Sequence, residues 1–331
     1  MIFIACPEKY ATGGTELLHQ LYFKLRTYTE KVKMYYYNFS NSESPISPRF
    51  EKYQVSYVNK IEDSERNILI VPEMNTDLLK KFKNINKCIW WLSVDNYYKA
   101  IGKHRNPIKT IIIRSMNIIK KDYYFKKLVN FSDNKIIHLY QSFYAKRFLE
   151  KMGVKNSEDL SDYLGSNFLE EIVDYKSLDR INRVLYNPKK GIDFTNKIIS
   201  HGDNLRFVPL INMSQEQIIE LCRTSKIYID FGNHPGKDRF PREATYLGCV
   251  VITGRKGSAK YSQDVMIPAD YKFNDDIKLI PDIIEKINYV YDNYDKVINS
   301  FDDYRSKILN EENEFEKNVE LLWEKHFKVY S

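Results

Sequence analysis

The chain has 331 residues, which at about 150 residues per domain predicts two domains, and its 43% hydrophobic and 29% charged content is that of a folded globular chain. Gly 12 and Pro 11 are too few for collagen-like or low-complexity sequence, which excludes fibre and general disorder. Lys+Arg 51 against Asp+Glu 44 leaves +7, a mild excess that suits an anionic ligand or membrane surface. The basic residues are spread along the chain instead of gathered with aromatics into a stripe, which argues against a nucleic-acid partner.

The chain opens on a short apolar run, MIFIAC, with no basic segment before it. No run approaches the roughly 18 apolar residues of a membrane span, so the expected location is cytoplasmic, with peripheral contact at the inner membrane face through the basic surface. Short apolar runs then alternate with longer amphipathic ones, the α/β pattern of strands and helices in a parallel sheet.

In the first half the strand candidates are residues 2–6, 32–37, 55–58, 67–71, 88–94, 110–113 and 135–140, and the helix candidates are 15–28, 76–82 and 143–152. The polar stretch between 152 and 183 reads as a connection. A second series follows, with strands at 183–186, 205–208, 226–230 and 250–253 and helices at 193–199, 214–222 and 242–247. That is a second doubly wound unit. From 282 to 330 the pattern is helical. The expected domains are 1–175, 176–300 and a last helical segment, 301–331. Cys6, Cys88, Cys222 and Cys249 lie apart in apolar runs and read as reduced core residues, and Trp90 and Trp91 include at least one core residue.

Several loops carry candidate chemistry. PEKYATGGTE follows the first strand and opens a helix, so Gly13 and Gly14 would bring backbone N–H groups to a phosphate, or else form an ordinary turn with Thr15 as cap. After the first strand of the second half, Asn187-Pro188-Lys189-Lys190-Gly191 sets Lys190 where it either faces a ligand or stands in a solvated turn. In DFGNHPGKDRFPREATYLGCVVIT a strand end is followed by His234, Lys237, Asp238 and Arg239 and then by Pro241 at a helix start. Glu243 would lie in the first helical turn, able to hold the paired hydroxyls of a ribose or simply to complement the helix dipole. Asp95 in WWLSVDNYY is a candidate base or turn cap, with Asn96, His104 and Arg105 beyond it. GRKGSAKY adds Arg255, Lys256, Ser258 and Lys260, lining a ligand crevice or solvated.

NPKKG and REATYLGCVVIT resemble the nucleotide-sugar-binding domain of GT-B glycosyltransferases, especially the large retaining family with an E-x7-E motif, and TGGTELLHQLYFKLR and HLYQSFYAKRFLEKMGV resemble segments of its acceptor domain. The resemblance implies two Rossmann-like doubly wound domains facing a cleft, with C-terminal helices crossing back to the first. It implies transfer of a sugar from a nucleotide diphosphate sugar, UDP- or GDP-linked, to a glycan or lipid-linked acceptor in surface polysaccharide assembly, with retention and without other cofactors. Donor contacts would come from Gly13, Gly14, Lys189, Lys190, His234, Lys237, Arg239, Glu243 and Ser258, and acceptor contacts from Asp95, Asn96, His104 and Arg105. Asp95, Lys190 and Arg239 would be catalytic.

The sequence departs from that family at Pro235, which stands where the first glutamate belongs, and in lacking the arginine usually found before Lys190. No D-x-D triplet occurs, which argues against a metal-dependent GT-A enzyme, and no metal site is expected. A nucleotide-sugar epimerase of the same architecture and a non-catalytic nucleotide-sugar or glycan-binding protein are the alternative readings.

Overall fold

The computed structural model describes residues 1–37, 39, 44–103, 110–111, 127–165 and 178–331. The chain divides into two compact units, Met1–Asp162 with Asn313–Ser331, and Tyr163–Glu312.

The first unit is built on a parallel sheet of β1 (Ile2–Pro7), β2 (Val32–Tyr37), β3 (Tyr57–Val58), β4 (Ile68–Pro72), β5 (Asn86–Trp91), β6 (Ile137–Tyr140) and β7 (Ser157–Asp159), in the order β3-β2-β1-β4-β5-β6-β7. β1 and β4 are apolar throughout because parallel strands in the middle of such a sheet are covered on both faces, and Ile4 and Ile70 are wholly buried. The chain runs outward from β1 to β3, then returns to β4 on the other side of β1, which places the topological switch between β1 and β4. Helix α1 (Gly13–Leu25) begins at a capping box in which Thr12 and Thr15 satisfy each other's backbone N–H groups. Helices α2 (Val94–Ala100) and α3 (Phe143–Lys151) start at Ser93 and Ser142 caps.

Several expectations change here. The strand expected at 88–94 ends at Trp91, and Val94 onward is α2. The helix expected at 76–82 is a pair of short 3-10 turns over Glu73–Lys81 joined across a kink at Asn75. Thr110 and Ile111 are helical, not strand, while 112–113 lie outside the described residues; a short apolar run does not distinguish the two by periodicity. Part of the expected connection forms β7, whose sequence SED carries no apolar signal because its side chains are only partly covered or exposed. Both Trp90 and Trp91 are core, with indole N–H groups bonded to Leu160 O (3.0 Å) and His138 Nδ1 (3.0 Å).

The second unit holds β8 (Ile181–Tyr186), β9 (Phe207–Pro209), β10 (Ser225–Asp230) and β11 (Val250–Thr253), all parallel, in the order β11-β10-β8-β9. Its helices are α4 (Ile192–His201), α5 (Gln215–Thr224), α6 (Arg239–Tyr246), α7 (Ile280–Val297) and α8 (Asp302–Leu322), of which α8 passes into the first unit after Glu312. Here β8 leads to β9 on one side while β10 lies on the other, so the switch falls between β8 and β10. Met1 N donates to Tyr330 O (2.8 Å) and Tyr28 stacks on Trp323, which fasten the end of the chain to the first unit. All four cysteines are buried and none forms a disulfide. No helix among the described residues is long and apolar enough to cross a membrane.

Candidate functional site

In open α/β sheets ligands bind outside the carboxyl ends of the strands at the switch point. In the second unit that point gathers the loops after β8, β10 and β11. Gly191, with φ +60°, caps α4 in the left-handed region, and a side chain there would overlap the Phe231 carbonyl. The loops after β8 and β10 therefore touch backbone to backbone. Gly257, with φ +59°, sits likewise against the His234 carbonyl, and Ser258 N donates to that oxygen at 2.8 Å. Close glycine contacts bring three loops into one floor.

Charged groups stand on that floor in pairs. The Lys190 ammonium is ion-paired with Asp238 Oδ2. Arg239 Nε donates to Glu243 Oε1 at 2.9 Å within α6. Glu243 is only 5% exposed, and burial holds its carboxyl above the usual range, opposed by Arg239 and Arg242. His234 is fully buried between two acids, with Nε2 3.5 Å from Asp230 Oδ1 and Nδ1 3.4 Å from Asp238 Oδ2. Asp230 also accepts from Gly232 N (2.9 Å) and Tyr228 OH (3.0 Å).

Asp230, His234 and Asp238 each bring a possible metal-ligand atom to within 4.8 Å of the others. The geometry does not make a cradle, because the imidazole turns opposite ring edges to the two acids and the Lys190 ammonium already occupies Asp238. The cluster is a row of contacts from Asp230 through His234 and Asp238 to Lys190.

Beneath this floor lies a buried triad. Glu311 of α8 takes Lys237 Nζ on Oε1 (2.8 Å) and Arg242 Nη1 on Oε2 (2.7 Å), and Arg242 also donates to the Lys237 and Asp238 carbonyls, each at 3.2 Å. Lys237, expected at a diphosphate, is thus directed to Glu311 and is 7% exposed. Ser258 is buried with its hydroxyl donating to Gly236 O (2.6 Å). His234, Lys237 and Ser258 shape the loop, whereas Lys190, Asp238, Arg239 and Glu243 present charge. Lys189 is exposed. Glu243 falls in the second helical turn because α6 starts at Arg239, earlier than the expected 242, with Pro241 in its first turn.

Asp230 and Glu311 escaped the sequence reading. Asp230 was visible as an acid closing an apolar strand. Glu311 had a signal too: with Tyr304, Ile308 and Phe315 it keeps helical spacing, so a carboxylate sits inside an otherwise apolar stripe.

In the first unit, the switch between β1 and β4 is of a different kind. Gly13 and Gly14 open α1 behind Thr12. Glu73 follows β4 directly, is 2% exposed, and accepts from Leu92 N at 3.0 Å; burial pushes its carboxyl up to about 8, against the pull of the Leu92 and Ser93 N–H groups. Asp95, in the first turn of α2, accepts from Tyr144 OH at 2.8 Å, and Asn96 N donates to Ser93 Oγ. His104 and Arg105 lie outside the described residues.

No family model matches the sequence, and no curated protein matches it. Solved structures do. A sucrose-phosphate synthase from Thermosynechococcus elongatus superposes with a TM-score of 0.63 at 11% identity, over 99% of both chains. A glycosyltransferase of lipopolysaccharide biosynthesis, WaaG, gives 0.60 at 9% over 96% of this chain and 99% of its own. HepE from Anabaena, solved in complex with UDP, gives 0.56 at 10% over 98% and 99%. The chain has the GT-B fold.

Proposed function

We propose that the chain is a glycosyltransferase that moves a sugar from a nucleoside diphosphate sugar, UDP- or GDP-linked, to a glycan or lipid-linked acceptor in surface polysaccharide assembly. The observation that carries this is the floor of paired charges at the β8/β10 switch, where Lys190 and Arg239 stand beside Asp238 and Glu243 above close-packed glycine loops. The GT-B fold shared with sugar-transferring proteins supports the same reading.

The leaving group in such a reaction is a nucleoside diphosphate, and the energetic need is to stabilise its growing negative charge as the glycosidic bond breaks. Lys190 and Arg239 supply that charge without a metal, exchanging their carboxylate partners for phosphate oxygens. Glu243, a planar two-oxygen acceptor, takes the ribose hydroxyls once Arg239 turns to phosphate. The resemblance to the retaining family implies that the acceptor attacks from the leaving-group side with retained configuration, a course that needs no enzymic nucleophile. In the first unit Asp95, oriented by Tyr144, orients an acceptor hydroxyl.

The test is calorimetric titration of UDP, GDP, CMP and their sugars, without added metal, into wild type, Lys190→Ala and Glu243→Ala. The reading expects one nucleoside diphosphate to bind, weakened in both variants. Absence of binding by every nucleotide overturns it and leaves a glycan-binding role.

A further inference from the structure

A second recess opens on the Tyr163–Glu312 unit, apart from the β8/β10 switch. Thr253 at the end of β11 bridges Lys272, and Phe273 N donates to Thr253 O at 2.9 Å, so this segment lies beyond the β11 edge, on the side away from β8. Between it and one face of α7 lies a cavity of about 750 Å³. Asp282, Glu285, Lys286 and Tyr289 line it at helical spacing.

Two cations in this recess have no carboxylate within ion-pair distance among the described residues. Lys272 is 7% exposed, and its ammonium donates to the Tyr261 carbonyl at 3.3 Å. Arg255 donates to the Lys272 and Ala269 carbonyls at 2.9 and 3.0 Å, leaving the rest of its guanidinium fork uncommitted. The buried Lys272 ammonium, with no carboxylate paired to it, is costly until an anion joins it, and the exposed guanidinium of Arg255 adds a second positive charge nearby. The other charges are arranged differently. Lys286 is paired with Asp270 at 2.8 Å and lies over the Tyr271 and Tyr289 rings at 4.8 and 5.5 Å, and Tyr289 is 43% exposed. An exposed ring flanked by paired charges offers a face for a sugar ring and acceptors and donors for its hydroxyls.

We propose that this recess binds an acid-bearing saccharide, its carboxylate or phosphate held by Arg255 and Lys272 and its ring laid against Tyr289. That the saccharide is a stretch of acceptor glycan rests on the glycosyltransferase reading; the binding itself does not. Burial and Arg255 hold the Lys272 ammonium down to about 8, with Asp264 pulling the other way. Binding therefore weakens as pH rises through about 8 and Lys272 discharges.

The experiment titrates a short glucuronate-containing oligosaccharide, a phosphorylated hexose, a neutral glucose oligosaccharide and inorganic phosphate into the full chain, with UDP as a separate control. The proposal expects one acidic saccharide to bind, to lose about tenfold or more in Arg255→Gln and in Lys272→Met, and to bind more weakly at pH 9 than at pH 7. Which acidic saccharide binds distinguishes carboxylate from phosphate. The neutral oligosaccharide binds more weakly, and both variants keep wild-type UDP affinity, which shows that they fold. Failure of both acidic saccharides, equal binding by the variants, or inorganic phosphate matching the best saccharide overturns the proposal. Acidic-saccharide binding without any nucleotide binding sustains the recess and removes the transferase reading.

Discussion

The two switch points share a topology and differ in chemistry. At β8/β10 nearly every polar side chain is charged and paired with an opposite charge, as in Lys190–Asp238, Arg239–Glu243 and the Lys237–Glu311–Arg242 triad. At β1/β4 the polar groups are Glu73 under backbone N–H donors and, on α2, Asp95 under a tyrosine hydroxyl. Paired cations suit a highly charged ligand that takes over one member of each pair, whereas acids held by N–H and O–H donors suit neutral hydroxyls. In the proposed reaction the same doubly wound frame takes the diphosphate in one unit and a saccharide hydroxyl in the other.

The largest effect is expected beneath the charged floor. Glu311 compensates two buried cations, and Glu311→Ala leaves both uncompensated, so urea unfolding should show a loss of about 3–5 kcal/mol. A loss below about 1 kcal/mol would mean that the floor is held by backbone packing and that the triad is incidental.

The counterpart in the first unit is Glu73. Its carboxyl keeps a proton up to about pH 8 when folded, against 4.5 for a free glutamate. Between these values the folded chain holds a proton the unfolded chain has released, so the contribution of Glu73 to stability is full below 4.5 and lost as pH rises toward about 8. Glu73→Gln does not titrate. Its stability relative to wild type should rise across that window with a slope of at most about 1.4 kcal/mol per pH unit. A flat difference would show that water or the N–H donors keep Glu73 ionised.

Lys190→Ala sharpens the contrast on the ligand side. Loss of one charged contact should weaken nucleoside diphosphate binding by about 10- to 100-fold in calorimetry, while Asp95→Asn leaves it unchanged. If Asp95→Asn weakens nucleotide binding as much, the division of roles between the two chemistries fails.

Much of the frame was legible from period and punctuation. Apolar runs such as ILIV and CVVIT read as strands covered on both faces, and Gly-Gly and Lys-Lys-Gly marked the carboxyl-end loops. What stayed hidden was direction. His234, Lys237 and Arg239 look alike in sequence as polar loop residues, yet Lys237 goes to a glutamate on a helix far along the chain while Arg239 goes to its own next turn. Long-range partners of that kind leave no local pattern, which is why Glu311 is seen only as an acid in an apolar stripe. β7 escaped for another reason, since its side chains are left half-covered or exposed and need not be apolar.

The smallest effect tests the chain of contacts itself. His234 lies wedged between Asp230 and Asp238 at 3.5 and 3.4 Å, too loose for strong hydrogen bonds but with both carboxylates facing its ring edges. If it acts by setting Asp238, and through it Lys190, then His234→Gln should raise the donor KM about three- to tenfold while kcat changes less, because the residue does not meet the reacting atoms. The decisive comparison is a double-mutant cycle. In an Asp238→Asn background, where the link to Lys190 is already weakened, His234→Gln should have almost no further effect. Equal effects in both backgrounds would mean that His234 meets the donor directly, and the charged floor would then act as separate contacts instead of one linked row.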